Sequence, residues 1–177
     1  MKNSILSISI FVITIISSLQ LTAQEFKSLD KSPMDVAVFP SSYKISEKIV
    51  KVIYSRPQLK GRDLVKLAPP EKIWRTGANE ATEITFYKDV VFGGKELKAG
   101  TYSLFTIPSL DKDWTVIINS ARNVWGSYYY NQNLDVIRVS GKTSKVDENI
   151  DIFSMMFDKD MTLKIGWGNT VVSVSIE

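Results

Sequence analysis

The chain has 177 residues, with 22 Lys and Arg against 19 Asp and Glu, no histidine and no cysteine. A balance this close to neutral, with the cations scattered rather than in runs, argues against nucleic acid or an anionic membrane as the main partner. Without cysteine there are no disulfides, thiol nucleophiles or thiolate metal sites; without histidine, Ser-His-Asp catalysis and most zinc, copper or non-haem iron centres are excluded too.

The first stretch, "MKNSILSISIFVITIISSLQLTAQEF", places Lys2 before an apolar run from Ile5 to Ile16. Leu21-Thr22-Ala23 follows, so the pattern is that of a secretory signal peptide over 1–23, cut before Gln24. The run is shorter than the roughly 20 residues that span a bilayer, which predicts no transmembrane anchor after cleavage. The expectation is an exported protein, periplasmic or extracellular, with a flexible segment over 24–32 and a single β-rich domain over 33–177. That length is enough for one real core.

Residues 24–47 are polar and carry Pro33 and Pro40, which reads as irregular chain. "KIVKVIYS" (48–55) is β-branched and stops at Arg56-Pro57, as a strand does before proline. The stretch 57–72 holds Pro57, Gly61, Pro69 and Pro70, predicting a long ordered loop or one helical turn. From Ala81 the pattern is β. "ATEITFY" alternates, with Thr82, Ile84 and Phe86 on one face and Glu83, Thr85 and Tyr87 on the other. In "VVFGGKEL", Gly93-Gly94 between apolar runs is a hairpin signal. "AGTYSLFTIP", "DWTVIINS", "DVIRVSGKT", "IDIFSMMF", "MTLKIGW" and "TVVSVSIE" then follow across polar connections. With two "DKD" turns between them, they bring the count to roughly nine strands at spacings of about 8–12 residues. This is the pattern of an all-β, antiparallel sandwich of jelly-roll-like type, with an up-and-down barrel as the alternative. Met155-Met156 reads as core packing.

The densest polar string is "WRTGANEAT" (74–82). Gly77 and Asn79 suit tight-turn geometry, and Arg75 and Glu80 are close enough across the turn for an ion pair. Two readings stand side by side. Trp74 plugs a core while Arg75 and Glu80 brace the corner, or Arg75, Asn79 and Glu80 face a cleft and grip a polar ligand. Upstream, Arg56, Lys60 and Arg62 would share a cationic rim with Arg75 if the strand ending at Ser55 lies beside the one starting at Ala81. "NVWGSYYYNQN" offers Trp125, Tyr128 and Tyr130 as a platform for sugar rings, or as a cover for an open end of the sandwich. "DENID" (147–151) has oxygen ligands but lacks the glycine spacing of a calcium loop. It reads as a solvated hairpin connection, so no metal and no cofactor is expected.

Several strings occur in order: "YSRP…KGR", "WRTGANEAT", "GGKELKAGTYSLFTIP", "WTVIIN" and "DVIRV". Together they resemble domain of unknown function family 2911, found in exported proteins of Bacteroidota-type bacteria. The likeness runs from about Pro33 to the C-terminus, although "DLVKLAPPEK" departs from a glycine-containing version of that loop. The resemblance implies an exported β-rich domain and carries over no catalytic residue. The expected function is a non-enzymatic ligand-binding or envelope-associated module. Its ligand would be anionic or glycan-like, held by Arg56, Arg62, Arg75, Asn79 and Glu80. The alternative is a hydrolase or lyase acting on an extracellular polymer, with Glu80 as acid or base. In that case Glu83, three residues on, would fall on the opposite face from Glu80.

Overall fold

The computed structural model describes residues 26–177; the signal-peptide reading of 1–23 lies outside them. The strands are β1 (Met34–Phe39), β2 (Val50–Ser55), β3 (Thr82–Phe86), β4 (Val90–Phe92), β5 (Lys95–Leu97), β6 (Gly100–Ile107), β7 (Trp114–Asn119), β8 (Asp135–Phe157) and β9 (Leu163–Val174). They stand beside a one-turn helix, α1 (Leu64–Leu67), and a 3-10 turn at Gln132–Leu134. The all-β, antiparallel architecture expected from the alternation is what forms. Its strand order is β1-β2-β3-β6-β7-β8-β9, a meander in which each strand pairs antiparallel with the next; β4–β5 forms a separate hairpin. At the hairpin tip both Gly93 and Gly94 have positive φ, 55° and 81°, as the Gly-Gly signal demands.

Two segments differ from the sequence reading. Residues 34–39, expected to be irregular, form β1, which runs in register with β2 from Met34↔Ser55 to Phe39↔Val50. Pro33 and Pro40 therefore bracket a strand at the sheet edge, where a missing N–H does no harm. The second difference is β8, a single strand of 23 residues that absorbs "DENID" within it. At about 3.3 Å per residue a straight strand of that length would be roughly 75 Å long. A domain of this size has a radius of gyration near 15 Å. The strand must bend, and its register with β9 shifts between Lys145 and Ile150 and again between Ile150 and Ser154.

That bend lets the sheet close on itself. The far half of β8 returns to the chain just after β2, where Gln58 bridges Ile152. Backbone bonds from Leu59 N to Asp151 O (2.9 Å) and from Phe153 N to Pro57 O (2.9 Å) complete the seam. Side chains reinforce it. The Tyr54 hydroxyl both accepts from Met155 N (3.0 Å) and reaches Met155 O (3.2 Å). Arg56 donates to Phe153 O, Asp35 Oδ2 and Ser154 Oγ at 3.1, 2.9 and 2.8 Å.

The enclosed core centres on Trp74. Its ring stacks on Trp167 (5.4 Å, 11°) and meets Trp114 and Phe153 edge-on at 6.3 and 5.3 Å. Such pairs each add about 0.5–1.5 kcal/mol beyond the area they bury. A smaller cluster lies outside the sheet, where Ala81, Phe105 and Ile117 pack against Ile73, Ile107, Val124 and Tyr130. It exists because the β7–β8 connection folds back over β6 and β7. Of the methionine pair on β8, Met155 is in the core and Met156 is exposed.

Candidate functional site

The corner 74–82 is tied from several sides. Trp74 exchanges both backbone bonds with Thr106 (2.8 and 2.9 Å). Thr76, fully buried at a left-handed φ of 56°, donates to Thr106 Oγ1 at 3.1 Å, and its carbonyl accepts from Thr82 Oγ1 at 2.6 Å. A β-branched residue in that region is strained, and its bonds hold it there. Gly77 lies so close to β2 that a Cβ would meet Ser55 O at 3.1 Å. Asn79, also left-handed at 57°, donates from its amide to Asp30 Oδ1 (3.1 Å) while its carbonyl accepts from Gly126 N (2.9 Å).

The five residues singled out from the sequence are distributed rather than gathered. Arg56 belongs to the seam and pairs with Asp35 at 2.9 Å. Arg75 makes no ion pair with Glu80 among the described residues, and its Nε is buried without a partner. β2 does lie beside β3, yet Arg56 is taken into the seam while Arg62 bonds Leu59 O and Gln58 O, so these two do not share a cationic rim. Arg62 opens into a cleft at one end of the barrel; Asn79 and Glu80 line a groove on its outer face.

The end cleft, about 540 Å³, lies between the 59–70 loop with α1, the β6–β7 turn and the bulged middles of β8 and β9. Trp114, Leu64 and Pro108 supply apolar wall; Arg62, Lys145, Asn149 and Asn169 supply polar groups. Arg62 is held by bonds to Leu59 O (2.9 Å) and Gln58 O (2.6 Å), and Lys145 by Thr170 Oγ1 (3.1 Å). Neither cation has a carboxylate partner among the described residues, whereas Asp63 at the rim is paired with Lys66. The volume falls in the range of roughly 300–1,000 Å³ typical of ligand sites, and barrel mouths are a common place for them.

The outer groove consists of two adjoining hollows of about 160 and 260 Å³ that share Met34, Ser55 and Glu80. Glu80 and Glu83 line the same hollow, contrary to the expectation of opposite faces. Alternation begins only at Thr82, and the left-handed turn at Asn79 sets Glu80 independently of it. Glu80 bridges Trp125 on the β7–β8 connection. Trp125 is 57% exposed, and Tyr128 and Tyr129 are exposed as well. Tyr130 instead turns inward against Phe105 (5.1 Å). Its hydroxyl donates to Asp135 Oδ2 (2.6 Å) and accepts from Arg138 (2.7 Å). Burial, then the bond to Asp135, pushes the Tyr130 phenol up to about 12. The Asp30 carboxyl is held below its usual range, first by the Ser32 N–H and then by the Asn79 amide. Among the described residues, no three acidic side chains converge closely enough to hold a metal ion, and no helix is long and apolar enough to cross a membrane.

The family profile described as "Protein of unknown function (DUF2911)" matches residues 34–176. The chain belongs to that family. No match was found among curated proteins or among solved structures. Sequence reasoning on this DUF2911 domain missed Lys145, Asn149 and Asn169. Lys145 and Asn149 flank or fall within "DENID" on β8, and Asn169 sits in the β9 bulge opposite. Only the pairing of two bulged strands carries them to the mouth beside Arg62.

Proposed function

We propose that this DUF2911 domain is an exported, non-enzymatic binding module whose end cleft takes a small ligand bearing a carboxylate. The observation that carries the reading is the pair of cations, Arg62 and Lys145, facing one cleft without an acidic partner. Arg62 is pre-organised by its two carbonyl contacts, so little side-chain freedom is lost when an anion binds. Asn149 adds an amide for hydroxyl or carbonyl groups, Asn169, whose Nδ2 is bonded to Val146 O and Asp147 O, offers its side-chain oxygen as an acceptor, and Trp114 with its apolar neighbours covers the ligand's non-polar side.

The test is a thermal-unfolding screen of the purified protein against succinate, citrate, glucuronate and galacturonate, repeated with Arg62→Ala and Lys145→Ala. A carboxylate at a hundredfold excess over its Kd stabilises the fold by about 2.7 kcal/mol. The expected result is a rise in Tm that each variant abolishes and that added salt diminishes. The reading falls if no carboxylate stabilises the protein, or if the stabilisation survives both substitutions.

A further inference from the structure

We infer that the outer groove is a second binding site, independent of the end cleft, and that it takes a neutral glycan chain. The argument begins with the backbone. Glu80 and Trp125 are paired across an isolated antiparallel bridge. Residues directly opposite in such a pair present their side chains on one face, with Cβ atoms about 5 Å apart. A carboxylate is therefore set beside the indole. The pair is firmly mounted, because Ala81 N donates to Val124 O and Gly126 N donates to Asn79 O, at 2.8 and 2.9 Å. The indole nevertheless stays more than half exposed, whereas Trp74, Trp114 and Trp167 are buried.

The rest of the groove suits sugar hydroxyls. Asn79 and Asp30 stand at the Trp125 end; Glu83, Ser103 and Asn123 stand at the other, with Glu80 common to both hollows. The side chains of Glu80, Glu83 and Asn123 make no hydrogen bond among the described residues, so their acceptors and donors are open to a ligand. A flat aromatic face with a wet rim, flanked by carboxylates and amides, stacks on a pyranose ring while accepting from its hydroxyls. Three carboxylates, Asp30, Glu80 and Glu83, face one cation, Lys27, so an anionic polymer is repelled. Two adjoining hollows sharing one carboxylate fit a ligand built of repeating units.

The protein carries its own probe. Of its four tryptophans only Trp125 is accessible, so acrylamide quenching of the intrinsic fluorescence reports on this groove. The purified protein is titrated with xylohexaose, cellohexaose, mannohexaose and maltohexaose, and with oligogalacturonate as the anionic control. At least one neutral hexaose is expected to shield Trp125, and oligogalacturonate is not. Because Trp125→Ala removes the probe, the variants are compared by calorimetry. Trp125→Ala and Glu80→Gln are each expected to weaken binding by about tenfold or more, with unfolding midpoints near that of the parent protein. Arg62→Ala is expected to leave glycan affinity unchanged. The inference is overturned if no neutral hexaose shields Trp125, if only oligogalacturonate does, or if affinity survives Trp125→Ala. A loss of glycan binding in Arg62→Ala would equally overturn it, since the two sites would then not be independent.

Discussion

Replacing Tyr54 by Phe removes one oxygen atom from the seam of the barrel. That hydroxyl serves both backbone groups of Met155, accepting from its N–H at 3.0 Å and reaching its carbonyl at 3.2 Å. Tyr54 is 3% exposed and Met155 5%, so water has no ready access to replace it. A buried polar group left unsatisfied costs about 1–3 kcal/mol, and here there are two; some local adjustment brings the expected loss to about 2–4 kcal/mol. Against a total stability of roughly 5–15 kcal/mol this is a large fraction. The assay is urea unfolding followed by far-UV circular dichroism. With a slope of about 2 kcal/mol/M the midpoint falls by roughly 1–2 M while the slope itself is unchanged. Tyr87→Phe is the control: Tyr87 is exposed and its hydroxyl has no partner among the described residues, so its effect stays within about 0.5 kcal/mol. A midpoint shift for Tyr54→Phe no larger than the control's would refute the claim that this hydroxyl closes the seam.

Alkaline unfolding offers a second check. The folded-state pKa of Tyr130 lies at about 12, above the value near 10 of an unfolded tyrosine. Its contribution is therefore complete below about pH 10 and is lost as pH rises towards about 12. Tyr130→Phe should show a shallower fall in stability across that window than the parent protein. Equal slopes would mean the phenol is not held neutral by its burial and its bond to Asp135. Arg75 makes the opposite kind of prediction. Its Nε is buried without a partner, so Arg75→Met, which keeps the apolar stem, should be neutral or stabilising within about 1 kcal/mol. A larger loss in chemical denaturation would show that the guanidinium makes a contact that matters to the fold.

The string "WRTGANEAT" illustrates how far the sequence could be read. Its tight-turn geometry was legible, because Gly77 and Asn79 are types chosen for backbone reasons, and Trp74 as a core plug follows from its size. The fate of Arg75 and Glu80 was not. Five residues apart across a turn, they are near enough to pair, but Asn79 adopts the left-handed conformation and Glu80 is drawn to Trp125, 45 positions further on. The aromatic string from Trp125 to Tyr130 was legible only as two alternatives, and the structure divides the rings between two environments: Tyr130 covers the sheet while Trp125 faces solvent.

Local physics accounts for what the sequence determined by itself. Alternation of apolar and polar residues marks β3, paired glycines at positive φ mark the β4–β5 hairpin, and missing histidine and cysteine limit the available chemistry whatever the fold. The tertiary structure decided everything that depends on distant partners. β1 is a strand because β2 is there to pair with it, and β8 bends as one strand because the seam draws Met155 back to Tyr54, 101 positions earlier. The same closure sends Arg56 into an ion pair and leaves Arg62 facing a cleft with Lys145. Two arginines six residues apart differ in role because side-chain partners are set by which strands meet, and no local pattern encodes that.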